Sequence, residues 1–174
     1  DDFLLQADKS PNARGAAALG ISEGAESLLA LAEQKKLQVL LVFTQDLVEL
    51  FGGTRIQTAA KDLELLAFVG ANENPTAALA HLVLPGAVYA EKDGTFTNFQ
   101  GRVQRIRAAL GAWGEAKPEW QICSELAAAM GLKTTFTDAP SIFSELAKSE
   151  PPFRGLSYES VGNQGALLKD AVHA

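Results

Sequence analysis

"LELLAFVGANENPTAALAHLVLP", residues 63–85, decides the fold. It opens on the apolar run LELLAFV at 63–69, breaks at Gly70, Asn72, Asn74 and Pro75, continues as an alanine-rich stretch from about Thr76 to His81, and closes on LVLP at 82–85. A buried strand, a loop, a short helix and a second strand stopped by proline follow from that order. The same alternation precedes it. LQVLLVF at 37–43 is a continuous β-branched and apolar run, expected of a strand covered on both faces. Before it, EGAESLLALAEQKK carries Leu28, Leu29, Leu31 and Ala32 at helical spacing, with Ser22 as N-cap and Lys35 and Lys36 near the C-terminal dipole. FLLQA at 3–7, followed by DKSPN, predicts one more buried strand, and a further helix is expected from about Gln57 to Asp62. Strands alternating with helices imply a parallel sheet with right-handed crossovers, whose ligands sit beyond the carboxyl ends of the strands. Those ends place Asn12, the Thr44 to Asp46 turn, Asn72 to Thr76 and the loops after Pro85 at any binding site.

The rest of the chain has a different character. PEWQICSELAAAMG predicts an amphipathic helix with Pro118 in its first turn, a stripe of Ile122, Leu126 and Met130, and Gly131 as its cap. SIFSELAK predicts another, starting just after Asp138 and Pro140 and burying Ile142, Phe143 and Leu146. The tail beyond EPPFRG has weak periodicity and is expected to be loop with about one turn of helix. The expectation is one α/β domain or domain fragment over 1–174, with its core in 1–110 and a helical C-terminal portion at 118–174. The start at Asp1-Asp2, with Met130 the sole methionine, suggests a segment of something longer.

Composition narrows the function. A net charge of −6 argues against a phosphate-backbone surface, and so against nucleic acid. One cysteine, Cys123, supports neither a disulfide framework nor a four-cysteine cluster nor a structural zinc site. No apolar run approaches the roughly 20 residues that span a bilayer, so direct membrane insertion is not expected. No G-x-G-x-x-G follows any strand and no Walker A pattern is present. His81 and His173 lack acidic partners at metal-ligand spacing, and Cys123, on the apolar side of its helix, is expected in the core. Glu91, Asp93 and Glu115 suit a solvated loop better than an acid and base pair.

EKDGTFTNFQGRVQR at 91–105 is the most particular stretch. Gly94 lets the chain turn, Thr95 and Thr97 can satisfy loop amides, Asn98 donates and accepts, and Gly101 permits close backbone approach before Arg102. Arg102, Arg105 and Arg107 alternate with Val103 and Ile106, as on the exposed face of an edge strand or as donors to an anion. A ligand grip and a tight hairpin capped by its own side chains are both compatible with this spacing.

LVLPGAVYAEKDGTFTNFQGRVQRIRAAL at 82–110, GEAKPEWQICSELAAAMG at 114–131 and NARGAAALGI at 12–21 together resemble the molybdopterin oxidoreductase family. The resemblance implies an α/β fold with a mostly parallel sheet and flanking helices, similar to that family's split α/β domain, plus C-terminal helices. It implies that Asn12, Asp46, Thr76, Asn98, Gly101 and Arg102 lie nearest a pterin guanine dinucleotide, in a retained or a vestigial site. No catalytic or metal-ligating residue is implied in this segment. Two branches of the family compete. Phe43-Thr44-Gln45-Asp46-Leu47 lacks the glycine and proline common after this strand in cofactor-binding relatives, His81 stands where an Asp is common, and Gln100 replaces a frequent Glu. These departures favour similarity to the large iron-sulfur subunit of respiratory NADH-quinone oxidoreductase, with this segment in its C-terminal half. That branch implies a cofactor-free scaffold with iron-sulfur clusters elsewhere in the parent, other subunits of a respiratory complex as partners, and a cytoplasmic position peripheral to the inner membrane. The alternative is a molybdopterin guanine dinucleotide domain of a molybdenum or tungsten enzyme such as formate dehydrogenase or nitrate reductase.

Overall fold

A computed structural model describes residues 11–21, 24–133 and 136–169. The strand expected at 3–7, Ser22 and His173 lie outside the described residues. The chain divides into two compact units, one of residues 23–91 with 110–126, the other of 1–22, 92–109 and 127–174.

The first is the parallel unit. Helix α2 (Ala25–Glu33), with Gly24 at its N-cap, leads to strand β1 (Val39–Phe43), helices α3 (Leu47–Phe51) and α4 (Gly53–Asp62), strand β2 (Leu65–Gly70), helix α5 (Pro75–Leu79) and strand β3 (Leu82–Pro85). The strands pair in parallel in the order β1-β2-β3, with Val42 opposite Phe68 and Phe68 opposite Val83. The α/β alternation in the sequence is therefore a parallel sheet with flanking helices. Leu66 and Phe68 of β2 and Val42 of β1 turn to one face, where Leu29, Ala32, Ile56, Ala59 and Ala60 of α2 and α4 close the core. Arg55 ties these two helices together: its guanidinium takes both oxygens of Glu26 at 2.7 and 3.0 Å and those of Glu33 at 2.6 and 3.1 Å. Both carboxyls are held below their ordinary range, chiefly by those bonds. Lys117 extends the sheet past β3, its amide donating to Pro85 while its carbonyl accepts from Ala87.

Three expectations need correcting here. The single helix expected at 57–62 is two helices over 47–62, because Gly52, at φ 85°, breaks the run without ending it. Strand β1 is not covered on both faces: Val39 is 46% exposed and Leu41 39%, while Val42 joins the core cluster on the opposite face. Helix α6 (Glu119–Ala129) buries none of its residues fully, and Cys123 is exposed rather than in the core. Partial desolvation and the Glu119 carboxylate push its thiol up, away from thiolate reactivity.

The second unit holds helix α1 (Ala13–Ala18), strands β4 (Gly94–Thr97), β5 (Arg102–Ile106) and β6 (Ala166–Leu167), and helices α7 (Ala139–Ser149) and α8 (Tyr158–Val161). Its sheet is antiparallel in the order β4-β5-β6, so β5 is central rather than an edge. The tail expected as loop with a turn of helix also supplies β6. Asp138 caps α7, accepting the Ser141 amide at 2.7 Å, with Pro140 in the first turn. Val103 is fully buried among Phe143, Phe153, Tyr158, Val161 and Leu168, with Phe143 meeting Phe153 and Tyr158 edge-on.

Candidate functional site

In the parallel unit the carboxyl ends of the strands carry a clasp and a cleft. Asp46 follows β1 as the N-cap of α3, its Oδ1 accepting the amides of Val48 at 3.0 Å and Glu49 at 3.4 Å. Thr76, fully buried in the first turn of α5, donates its hydroxyl to the same Oδ1 at 2.6 Å and accepts from the Val48 amide at 3.0 Å. Asn74 caps α5 by accepting the Ala77 amide at 2.8 Å, and Pro75 presets its first turn. The Thr76 hydroxyl, followed by the Glu49, Val48 and Thr76 amides, outweighs desolvation and holds the Asp46 carboxyl below its ordinary value. The loops after β1 and β2 are thus locked to one another through Asp46 and Thr76. Thr44, at φ 61°, supplies the turn that lets Asp46 reach this position.

Beside the clasp, the loop after β2 and the end of β3 enclose a cleft of about 670 Å³, lined by Gly70, Asn72, Glu73, Asn74, Val83 and Pro85 among others. Gly70 is required at its floor: a Cβ there would stand 2.5 Å from the Phe68 ring. Among the described residues, the polar side chains of the lining are one carboxylate and two amides, with no lysine or arginine.

In the antiparallel unit, Asn98, Gly101 and Arg102 come together in the β4–β5 turn. Asn98 Oδ1 accepts the amides of Gln100 at 3.0 Å and Arg102 at 2.9 Å, and the Asn98 carbonyl accepts from the Gly101 amide at 2.9 Å. Gly101 sits at φ 76°. Replacing it with alanine places a Cβ in the left-handed region and is expected to cost about 1–2 kcal/mol; Asn, which tolerates that region, should cost less, as denaturant midpoints of the two variants will show. Arg102 points its Nη1 at the carbonyls of Gly165 and Gln164, 3.3 and 3.5 Å away, while Arg107 donates to Asn163 Oδ1 at 2.6 Å. Arg105 lies over the Tyr158 ring at 4.1 Å and donates to the Tyr158 carbonyl. Asn12, itself at φ 65°, accepts the Thr97 amide through Oδ1 at 2.9 Å. Gly15 lets helix α1 approach that bond, since a Cβ there would collide with Asn12 Oδ1.

The six residues expected at a site therefore form two groups, each within its own unit: Asp46 with Thr76, and Asn12, Asn98, Gly101 and Arg102 around the ends of β4 and β5. The hydrogen bonds described for them run to other groups of this chain. The cleft loop falls where the strand ends placed it, at Asn72 to Thr76 with Glu73 among them, whereas the role of Asn74 as a cap was not visible in the sequence. Among the described residues no cluster of His, Cys, Asp and Glu is arranged to hold a metal ion. No helix among them is long and apolar enough to cross a membrane.

The sequence pattern of the molybdopterin oxidoreductase family matches residues 8–129. Over 112 residues the chain is 46% identical to the F420-dependent formate dehydrogenase 2 subunit alpha of Methanococcus maripaludis, a match covering 63% of this chain and 17% of that subunit. It is 40% identical to the corresponding alpha subunit of Methanocaldococcus jannaschii, with the same coverage. It is 43% identical over 93 residues to a putative formate dehydrogenase of Bacillus subtilis, covering 53% of this chain and 10% of that protein. The chain thus spans a small part of the length of these curated relatives. Their names are those of formate dehydrogenases rather than of NADH-quinone oxidoreductase subunits, which moves the weight from the first branch to the second.

Proposed function

Because the chain belongs to the molybdopterin oxidoreductase family, we propose that it is part of the domain with which a formate dehydrogenase-type subunit holds a molybdenum- or tungsten-bearing pterin guanine dinucleotide. The observation that carries the reading is the cleft at the carboxyl ends of β2 and β3, where a parallel α/β sheet binds nucleotides. Its polar side chains suit a guanine: the base presents N–H donors on one edge, which a carboxylate such as Glu73 accepts and the amides of Asn72 and Asn74 extend. The described lining offers no cation for a pyrophosphate, so the fit is to the base end of the ligand, and charge for the phosphates has to come from elsewhere in the parent. Asp46 and Thr76 would hold the loop that shapes the cleft. The group itself, when bound, supplies two-electron redox chemistry; this chain contributes binding and shape. The parent's other domains, with their iron-sulfur clusters, are its proposed partners.

The test is made on the full-length parent subunit. Molybdenum or tungsten by mass spectrometry, together with guanosine monophosphate released by acid, is expected in stoichiometric amounts. Glu73→Ala combined with Asn72→Ala should lower the nucleotide content several-fold with the circular dichroism unchanged. A parent with neither metal nor guanine nucleotide would sink the reading, and would leave the inward bonding of Asp46, Asn98 and Arg102 as that of a cofactor-free scaffold.

A further inference from the structure

His81 stands between the C-cap of α5 at Ala80 and the first residue of β3, Leu82. Its main-chain amide donates to the Leu66 carbonyl at 2.8 Å. Its imidazole makes the reciprocal contact: Nδ1 accepts the Leu66 amide at 2.9 Å. Leu66 is 1% exposed, so its amide has no water to turn to, and a side chain provides the acceptor at a point where β3 has not yet begun. A ring nitrogen that accepts carries no proton, which places the imidazole proton on Nε2.

We infer that His81 is a positioning residue, using main chain and imidazole together to secure both backbone groups of Leu66 and so to set the register of β3 against β2. That register puts Ala67 opposite Leu82 and Phe68 opposite Val83, and it delivers Val83 and Pro85 to the wall of the cleft. The consequence for a ligand rests on the reading of the cleft given above; the hydrogen bond and the register do not.

Nitrogen NMR of the whole chain should find Nδ1 unprotonated and the proton on Nε2. Amide exchange should then show Leu66 exposed about ten- to a hundredfold more often in His81→Phe, which keeps a ring but has no acceptor. His81→Asn, whose Oδ1 can occupy the position of Nδ1, should restore protection close to that of the original chain. A proton on Nδ1, or equal exchange in the Phe and Asn variants, would overturn the inference. Restored protection in the Asn variant alongside a parent that carries no guanine nucleotide would uphold the positioning role and remove only the cleft's proposed ligand.

Discussion

Phe68→Ala should lower the unfolding free energy of the parallel unit by about 3–5 kcal/mol, the cost usual for emptying an aromatic site in a closed core. Phe68 is 1% exposed at the middle of the central strand, paired with Val42 on one side and Val83 on the other, and its ring packs against residues brought in by α2 and α4. The site cannot collapse easily because parallel partners fix the backbone on both sides. Phe68→Leu retains most of the volume and should cost less than about 1.5 kcal/mol. Urea titrations of both variants, with the slope of the transition unchanged, check the pair; a loss under about 1 kcal/mol for the alanine variant would mean that this ring does not organise the core. The neighbouring Gly70→Ala should also be damaging, since the new methyl would press on the same ring from the cleft side.

Thr76→Val should cost about 1–3 kcal/mol, although the two side chains have nearly the same shape. The hydroxyl is fully buried, donates to Asp46 and accepts from Val48, so the valine removes two bonds and takes from the carboxylate its 2.6 Å hydroxyl donor. The substitution also has a signature in pH. The folded state holds the Asp46 carboxyl below its ordinary value, so this group's contribution is fully present above the ordinary carboxylate pKa and is lost as pH falls through the depressed one. In Thr76→Val the depression is smaller, and the variant should lose less stability than the original chain over that acid window. Melting curves between neutral and acid pH measure the difference; parallel curves would show that the hydroxyl does not tune the carboxylate.

The parallel unit was legible where local chemistry decides the matter. LVLP at 82–85 is apolar and stopped by proline, and β3 occupies those four residues. Helices α3 and α4 were less legible, because Gly52-Gly53-Thr54 offers no apolar spacing at the start of α4 and the reach of Arg55 back to Glu26 and Glu33 is a long-range contact. The arginines in and just after β5 could not be placed from sequence at all. Arg102 and Arg107 meet a turn some sixty residues later, and nothing in the alternation of charge and Val103 indicates a partner so distant. The stripe of Ile122, Leu126 and Met130 was legible as amphipathic, but periodicity shows that a face is apolar, not what covers it: Leu126 is 43% exposed and Met130 72%. For the candidate site, the loops were marked by their breakers and strand ends, whereas the sharing of one carboxylate oxygen by Thr76 and Val48 is a property of the folded geometry alone.

The division of the chain into a nearly continuous unit and a discontinuous one has a bearing on its synthesis. The parallel sheet joins strands close in sequence, and the residues of this chain that belong to its unit have all been translated by residue 126. The antiparallel unit keeps Asn12 waiting for Thr97, and then β5 waiting for β6 at residues 166–167. At about 5–20 residues per second, several seconds separate these events on the ribosome. Long-range closure is the slower process in any case. The nascent chain should therefore carry a protease-resistant parallel unit before residues 127–174 of the antiparallel one have been made, a sequence of events that arrested-translation intermediates of different lengths would display directly.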